Sequence, residues 1–308
     1  MLNCIEDFRA AAERAGVFLD GEIVADGRLH RVYARGDTRG SRNAWYVLHS
    51  DLQPAGRFGS WKLGISESWV ARAPANLTPA ERAENARRMA AAQVKREAER
   101  GGAEARARGR AAYLWKIAPP ADPLHPYLSR KQIGAHGIRA YRGLLVLPMY
   151  DADGALHSLQ FIAPDGAKKF LRGGRVEGCF AALKPGEVWP EALYRLYVAE
   201  GFATGATVQE VTGETVVVAF NSGNLAPVAR SLREKLSGVD LIICADNDQW
   251  TPGNPGRTKA TEAARAVRGR LTYPRFRNLR SRPTDFNDLC VLEGPARVEA
   301  QLRAARFP

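Results

Sequence analysis

Cysteine is scarce in this chain of 308 residues: Cys4, Cys179, Cys244 and Cys290 stand far apart, with no CxxC pair. That spacing excludes a zinc ribbon, gives no disulfide framework, and fits a reduced protein of the cytoplasm. His30, His49, His125, His136 and His157 show neither metal-ligand spacing nor a Ser-His-Asp arrangement. No apolar run approaches the ~18 residues of a membrane span. The opening MLNCIEDFRAAAERAG lacks the basic-then-apolar order of an export signal. Nor does a GxxxxGKS/T motif occur, which excludes a P-loop motor within this sequence.

Acidic residues are in deficit, 33 against 45 lysines and arginines, for a net charge of +12. Such an excess favours a polyanionic partner, nucleic acid above all. An arginine-rich composition unrelated to binding accounts for the number equally well, so charge alone does not decide.

Four regions follow from composition and turn signals. Residues 1–73 combine a short helix (Ile5–Ala15) with strand-like pieces such as NAWYVLHS, punctuated by Asp26-Gly27 and Gly36-Asp37, and suit a small β-rich module. Residues 74–112 form a basic helical connector, with Thr78, Pro79 and Glu81 as a capping box and an interruption at Gly101-Gly102. Residues 113–187 contain a hairpin, Leu144–Tyr150 and Leu156–Ile162, and read as a small α+β subdomain. Residues 188–308 alternate strands (Arg195–Ala199, Thr215–Phe220, Asp240–Ala245, Leu271–Tyr273) with helices at about Ala203–Val211, Leu225–Leu236 and Lys259–Arg268. Nearly continuous apolar strands in that rhythm predict an α/β fold, a parallel sheet flanked by helices.

Acidic residues gather at the predicted strand ends, where parallel sheets place their sites. Glu200 follows LYVA, Asp246 and Asp248 follow LIICA, and Asp285 and Asp288 sit in TDFNDL. Residues i and i+2 of an extended chain share a side, so Asp246 and Asp248 can face one point. Buried carboxylates repel one another and resist desolvation unless a cation lies among them. Oxygen ligands without His or Cys select Mg²⁺ or Mn²⁺, ions that serve phosphoryl chemistry. Taken singly, each piece has a plainer reading: Asp-x-Asp as a loop start, Asp285 as the cap of the helix after it. Their succession at strand ends favours the metal reading.

The order YVAEGFATGATV, VVVAFNSGNL, IICADNDQWTPGNPGRTKATEAARAV and PTDFNDL resembles the Toprim domain of primases from plasmids and bacteriophages, over about residues 190–292. Upstream, HPYLSRKQI, LLVLPMYDADGALHSLQFI and GAKKFLRGGRVEGC resemble the subdomain that precedes Toprim in such primases. The resemblance implies a metal-dependent nucleotidyltransferase that makes short primers on single-stranded DNA from nucleoside triphosphates. It implies Glu200, Asp246 and Asp248 as catalytic acids and metal ligands, with Asp285 and Asp288 holding further metal. This sequence has no Cys/His zinc-binding domain of the kind with which many primases begin, and a replicative helicase would be a separate chain or a further part of a longer one. A Toprim nuclease, or a DNA-binding accessory without catalysis, are the alternatives.

Basic and aromatic residues complete the expectation. Arg257 and Lys259, at a helix start near Asp248, are candidates for a triphosphate. Lys168, Lys169 and Arg172 are candidates for template or nucleotide phosphates, although Arg172 reads as well as a solvated surface charge. Asn221 and Asn224 suit a helix cap as well as a ligand contact. In the N-terminal module, Trp45, Tyr46, Phe58, Trp61 and Trp69 lie among Arg42, Arg57 and Lys62. Interleaved aromatics and cations suit a single strand of nucleic acid, with Trp45 and Trp61 as candidates, but at least half of these rings are needed for a core.

Overall fold

A computed structural model describes residues 2–33, 42–50, 54–61, 63–71, 79–183 and 193–308. The chain divides into two units, residues 1–96 and 97–308. The predicted Gly36-Asp37 turn, Lys62 and the Thr78 cap lie outside the described residues. Among those described, no helix is long and apolar enough to cross a membrane.

In the first unit α1 (Leu2–Arg14) precedes β1 (His30–Val32), β2 (Ala44–His49), β3 (Ala55–Ser60) and β4 (Ile65–Val70), which pair in sequence order as an antiparallel sheet. The two-residue alternation of AWYVLH sets the faces. Ala44, Tyr46 and Leu48 are buried, while Trp45, Val47 and His49 lie on the more open side. Phe8 of α1 meets Tyr46, Phe58 and Trp69 edge-on, with ring centroids 6.1, 5.5 and 5.3 Å away. Three of the five aromatics thus belong to the core, as expected for so small a module.

Helix α2 (Pro79–Ile117) runs unbroken through Gly101-Gly102, where the sequence predicts an interruption. A glycine costs about 1 kcal/mol in a helix relative to alanine, and the Ala, Arg and Glu residues around this pair are strong helix formers that carry it. Farther on, Ala107 and Ala111 are buried against Val146, Leu159 and Leu171, small residues letting the helix lie close to a sheet.

That sheet is the antiparallel meander β5 (Arg139–Tyr141), β6 (Leu144–Tyr150), β7 (Leu156–Ile162) and β8 (Lys168–Phe170), preceded by α3 (Pro126–Lys131). The predicted hairpin appears as β6 and β7 with the expected bounds. Its turn is fixed by Asp151, whose carboxylate accepts the N–H groups of Asp153 and Ala155 at 3.0 and 2.9 Å.

Next come β9 (Ala181–Leu183), β10 (Arg195–Ala199), α4 (Phe202–Thr212), β11 (Val216–Val218), α5 (Leu225–Lys235), β12 (Asp240–Cys244), α6 (Pro255–Ala266), β13 (Arg270–Thr272), α7 (Phe286–Glu293) and α8 (Pro295–Arg303). The strands form one sheet in the order β13-β12-β10-β11-β9. Four are parallel, as predicted; β9, which the sequence reading missed, pairs antiparallel at the edge of β11. Alternate residues supply two cores. Tyr197, Ala199, Val218, Ile242 and Cys244 pack toward α4, α7 and α8, and Leu196, Val198, Val217, Leu241 and Ile243 toward α5 and α6. Residues Phe202 to Val208 of α4 are all buried. A Cβ at Gly205 would stand 2.8 Å from Val218 Cγ2, so glycine lets α4 approach the sheet.

Candidate active site

The register brings two acidic strand ends side by side. Ala199 of β10 pairs with Cys244 of β12, so Glu200 and the Asp246-Asn247-Asp248 turn leave adjacent strands at one edge. Gly201 caps α4 immediately after Glu200. A Cβ on Gly201 would lie 3.5 Å from the Lys168 Nζ, which places that amine of β8 over the strand end.

Each carboxylate is positioned by its own contacts. Asp246 Oδ1 accepts from Thr204 Oγ1 at 3.3 Å, from within buried α4. Asp248 Oδ2 accepts the Gly256 N–H at 2.9 Å. A Cβ at Gly256 would come 2.7 Å from that oxygen and 2.8 Å from the Asp246 carbonyl oxygen, so only glycine permits this approach. Between the two acids, buried Asn247 locks the turn. Its N–H donates to Thr284 O at 2.7 Å, its Nδ2 to Pro274 O at 3.0 Å, and its Oδ1 accepts Asn254 Nδ2 at 2.8 Å.

The TDFND segment is tied into the same edge. Asp285 caps α7 by accepting the Asp288 N–H at 2.7 Å, and Asp288 Oδ2 accepts the Thr284 N–H at 2.9 Å. Lys131 Nζ stands 3.8 Å from Asp285 Oδ2 and 3.3 Å from Asp288 Oδ1. Asn287 Nδ2 donates to Lys131 O at 2.7 Å and Thr207 Oγ1 at 3.0 Å, joining α7 to α3 and α4. Both Asp288 oxygens are thus engaged, and Asp285 serves the cap that its sequence also suggested.

Electrostatics reflect a crowd of negative charge in a partly dry place. Burial, then the charge of Asp248, pushes the Glu200 carboxyl up to about 7, against the opposing pull of Lys168 and the Ser222 N–H. Burial raises Asp246 well above the usual carboxylate range, and the charges of Glu200, Asp285 and Asp248 add to it. Asp285 is raised chiefly by burial, with Lys131 opposing. Glu200 Oε2 is buried without a hydrogen-bond partner among the described residues. An unpartnered buried carboxylate oxygen is costly in a finished site and expected in one that awaits a cation.

Above these groups lies a pocket of about 270 Å³, lined by Lys131, Lys168, Thr204, Asp246 and Asp285 with Tyr127 and Arg130. Among the described residues no group of three or more His, Cys, Asp or Glu side chains is placed so as to hold a metal ion by itself. The donors fit Mg²⁺ or Mn²⁺ nonetheless. They are hard oxygens, and Mg²⁺ is commonly held by one or two carboxylates with water and substrate phosphate completing its shell.

The other predicted residues separate. Lys168 overlooks the carboxylates, whereas its strand neighbour Lys169, directed to the opposite face, does not line the pocket, nor does Arg172. Lys259 pairs with Glu262 at 2.8 Å on the exposed face of α6. The Arg257 guanidinium lies over the Tyr273 ring at 4.3 Å, away from the pocket. Asn221 and Asn224 are structural: Asn221 caps the turn at Ser222, and Asn224 Nδ2 donates to Cys179 O and Ala219 O. Trp45 and Trp61 lie in the first unit, ring centroids 5.7 Å apart, with Arg31 4.5 Å over Trp61. Sequence reasoning missed Lys131, Thr204 and Asn247. The only signal for Lys131 was its place in HPYLSRK, quoted for its resemblance rather than its chemistry.

The Toprim domain family matches residues 195–296, which enclose Glu200, Asp246, Asp248, Asp285 and Asp288. Two proteins of Escherichia coli named DNA primase TraC are similar. One is 37% identical over 268 residues, covering 82% of this chain and 24% of the relative; the other is 33% identical over 288 residues, covering 88% and 19%. The chain therefore spans about a quarter or less of the curated relatives it matches. Among solved structures, the primase fragment of the bacteriophage T7 primase-helicase is 18% identical, with a TM-score of 0.44 over 57% of this chain and 73% of that one. The chain thus carries a Toprim domain and, over most of its own length, is homologous to part of the DNA primase TraC.

Proposed function

We propose that this chain is the catalytic core of a primase that joins nucleotides on a single-stranded DNA template, using nucleoside triphosphates. The observation that carries the reading is the edge shared by β10 and β12, where Glu200, Asp246 and Asp248 crowd together and Glu200 Oε2 lacks a hydrogen-bond partner among the described residues. Those three side chains would hold Mg²⁺ or Mn²⁺, with Asp285 and Asp288 contributing charge from the start of α7. When bound, the ion supplies Lewis-acid stabilisation of phosphoryl oxygens and acidifies a coordinated hydroxyl.

The chain's own groups do the rest. Lys168 and Lys131 flank the pocket from opposite elements and would receive the triphosphate's negative charge. Thr204 and the Gly256 N–H hold Asp246 and Asp248 in place, the preorganisation that electrostatic catalysis requires. In the first unit, Trp61 is 49% exposed beside Trp45 and Arg31, and offers a stacking platform for template bases. Four free cysteines accord with a cytoplasmic setting, where a helicase would supply unwound template.

The test is de novo synthesis on mixed-sequence single-stranded DNA with labelled nucleotides and Mg²⁺ or Mn²⁺. Primers should form with the natural chain and disappear with Asp246→Asn or Asp248→Asn. Cleavage of the template without synthesis would establish a nuclease instead. Binding without either reaction, indifferent to the carboxylates, would establish an accessory protein.

A further inference from the structure

A second concavity, of about 410 Å³, lies along the β13 edge of the sheet. Arg257, Thr261 and Arg265 reach it from one face of α6, at the spacing of four that aligns side chains along a helix. Tyr273 and Arg275 enter from the chain after β13, and Arg306 from the segment that pairs with Leu271. No Asp or Glu side chain is among the described residues that line it.

Several contacts fix this basic wall. Tyr273 has Arg257 over its ring at 4.3 Å and Arg275 at 5.2 Å, and Arg275 Nη2 donates to Tyr273 Oη at 3.1 Å. The Arg275 backbone exchanges two hydrogen bonds with the Gln301 side chain, at 2.8 and 2.9 Å. Arg306 exchanges two with the Leu271 backbone, at 2.7 and 3.1 Å. Arg270 on the same strand shows the contrast: Asp240 holds it at 3.0 Å. Among the described residues Arg257, Arg265, Arg275 and Arg306 have no such acidic partner. Four guanidinium groups around one hollow repel one another, and a polyanion removes that repulsion.

From this geometry we infer that the hollow is a groove for single-stranded nucleic acid, its phosphates seated on the four arginines. Arg257 to Arg265 spans eight residues, roughly 12 Å of helix, a spread that suits successive phosphodiesters better than one compact phosphate group. The groove begins beside the catalytic edge, since Arg257 follows Gly256, whose N–H holds Asp248. A strand lying there would be one that approaches or leaves the carboxylates. Only that last identification rests on the primase reading; strand binding itself does not.

Anisotropy of a labelled oligodeoxythymidylate, titrated with the full chain in EDTA across a salt series, tests the inference. Each phosphate contact on a single strand contributes about 0.7 to the slope of log affinity against log salt, so Arg265→Ala with Arg306→Ala should lower the slope by about 1.4. Arg265→Lys with Arg306→Lys keeps the charges and should keep the slope, which separates lost contacts from lost folding, as does an unchanged thermal midpoint. Asp246→Asn should keep the slope while losing synthesis, so failure of the catalytic reading remains distinct from failure of this one. An unchanged slope in the alanine variant would overturn the groove. So would loss of ATP binding by that variant with oligonucleotide binding intact, which would make the hollow a nucleotide pocket.

Discussion

Replacing Glu200 by Gln should stabilise the cation-free protein at pH 8 while weakening its response to Mg²⁺. The Glu200 carboxyl is pushed up to about 7 from an ordinary 4.5. At 1.36 kcal/mol per unit, ionised Glu200 costs the folded state about 3 kcal/mol at pH 8. Glutamine keeps the size and can still accept the Ser222 N–H, but it buries an amide donor where Oε2 has no partner among the described residues, a cost of about 1–2 kcal/mol. The net expected gain is about 1–2 kcal/mol. The sign of the pH dependence follows from proton counts. Between pH 4.5 and 7 the folded wild type retains a proton that the unfolded chain has released, so its stability falls as pH rises. Raised Asp246 adds to the same slope. Urea unfolding in EDTA at pH 4.5 and pH 8 measures both ends: Gln should be less stable at the first and more stable at the second. Adding Mg²⁺ at one hundred times its dissociation constant should give the wild type about 2.7 kcal/mol, and the variant less. A variant that is no more stable than wild type at pH 8 would refute the crowding of charge at this edge.

Three further substitutions probe the parts around it. Gly256→Ala forces a Cβ to 2.7 Å from Asp248 Oδ2 and should cost about 1–3 kcal/mol in urea unfolding, along with primer synthesis. Lys131→Met removes the cation opposite Asp285 and Asp288 and should destabilise by about 1–2 kcal/mol at pH 7; the loss should shrink in acid, where the Asp285 carboxyl, raised by burial, takes up its proton. Trp61→Ala, at an exposed position, should leave the melting temperature unchanged and weaken oligonucleotide binding by about 1–3 kcal/mol, read by anisotropy.

The sequence disclosed the parts of this site that local pattern encodes. LIICA could be read as a buried strand because its residues are apolar throughout, and parallel strands with helices on both faces require that. Glu200 and Asp246 were then placed by the ends of their strands. The sequence assigns at least half of the N-terminal aromatics to a core without saying which, and the burial alternation along AWYVLH separates Tyr46 from Trp45. What stayed hidden depends on distant partners or weak local signals. Lys131 meets Asp288 across 157 positions, and no spacing announces such a contact. Strand β9 is three residues long, too short to carry a pattern of its own, and pairs antiparallel with β11 at the sheet edge. The start of its helix near Asp248 suggests that Arg257 faces a triphosphate, yet its side chain lies over Tyr273, a ring supplied by the chain just after β13. The Gly101-Gly102 pair misled for a different reason: propensity is a small cost per residue, which strong helix formers on either side outweigh.

Binding of Mn²⁺, followed by the loss of its free-ion electron paramagnetic resonance signal, tests most directly whether the strand-end carboxylates share a cation. The natural chain should deplete the signal, and Asp246→Asn and Glu200→Gln should each leave most of it, with folding intact by circular dichroism. Equal depletion by the natural chain and both variants would contradict the assignment.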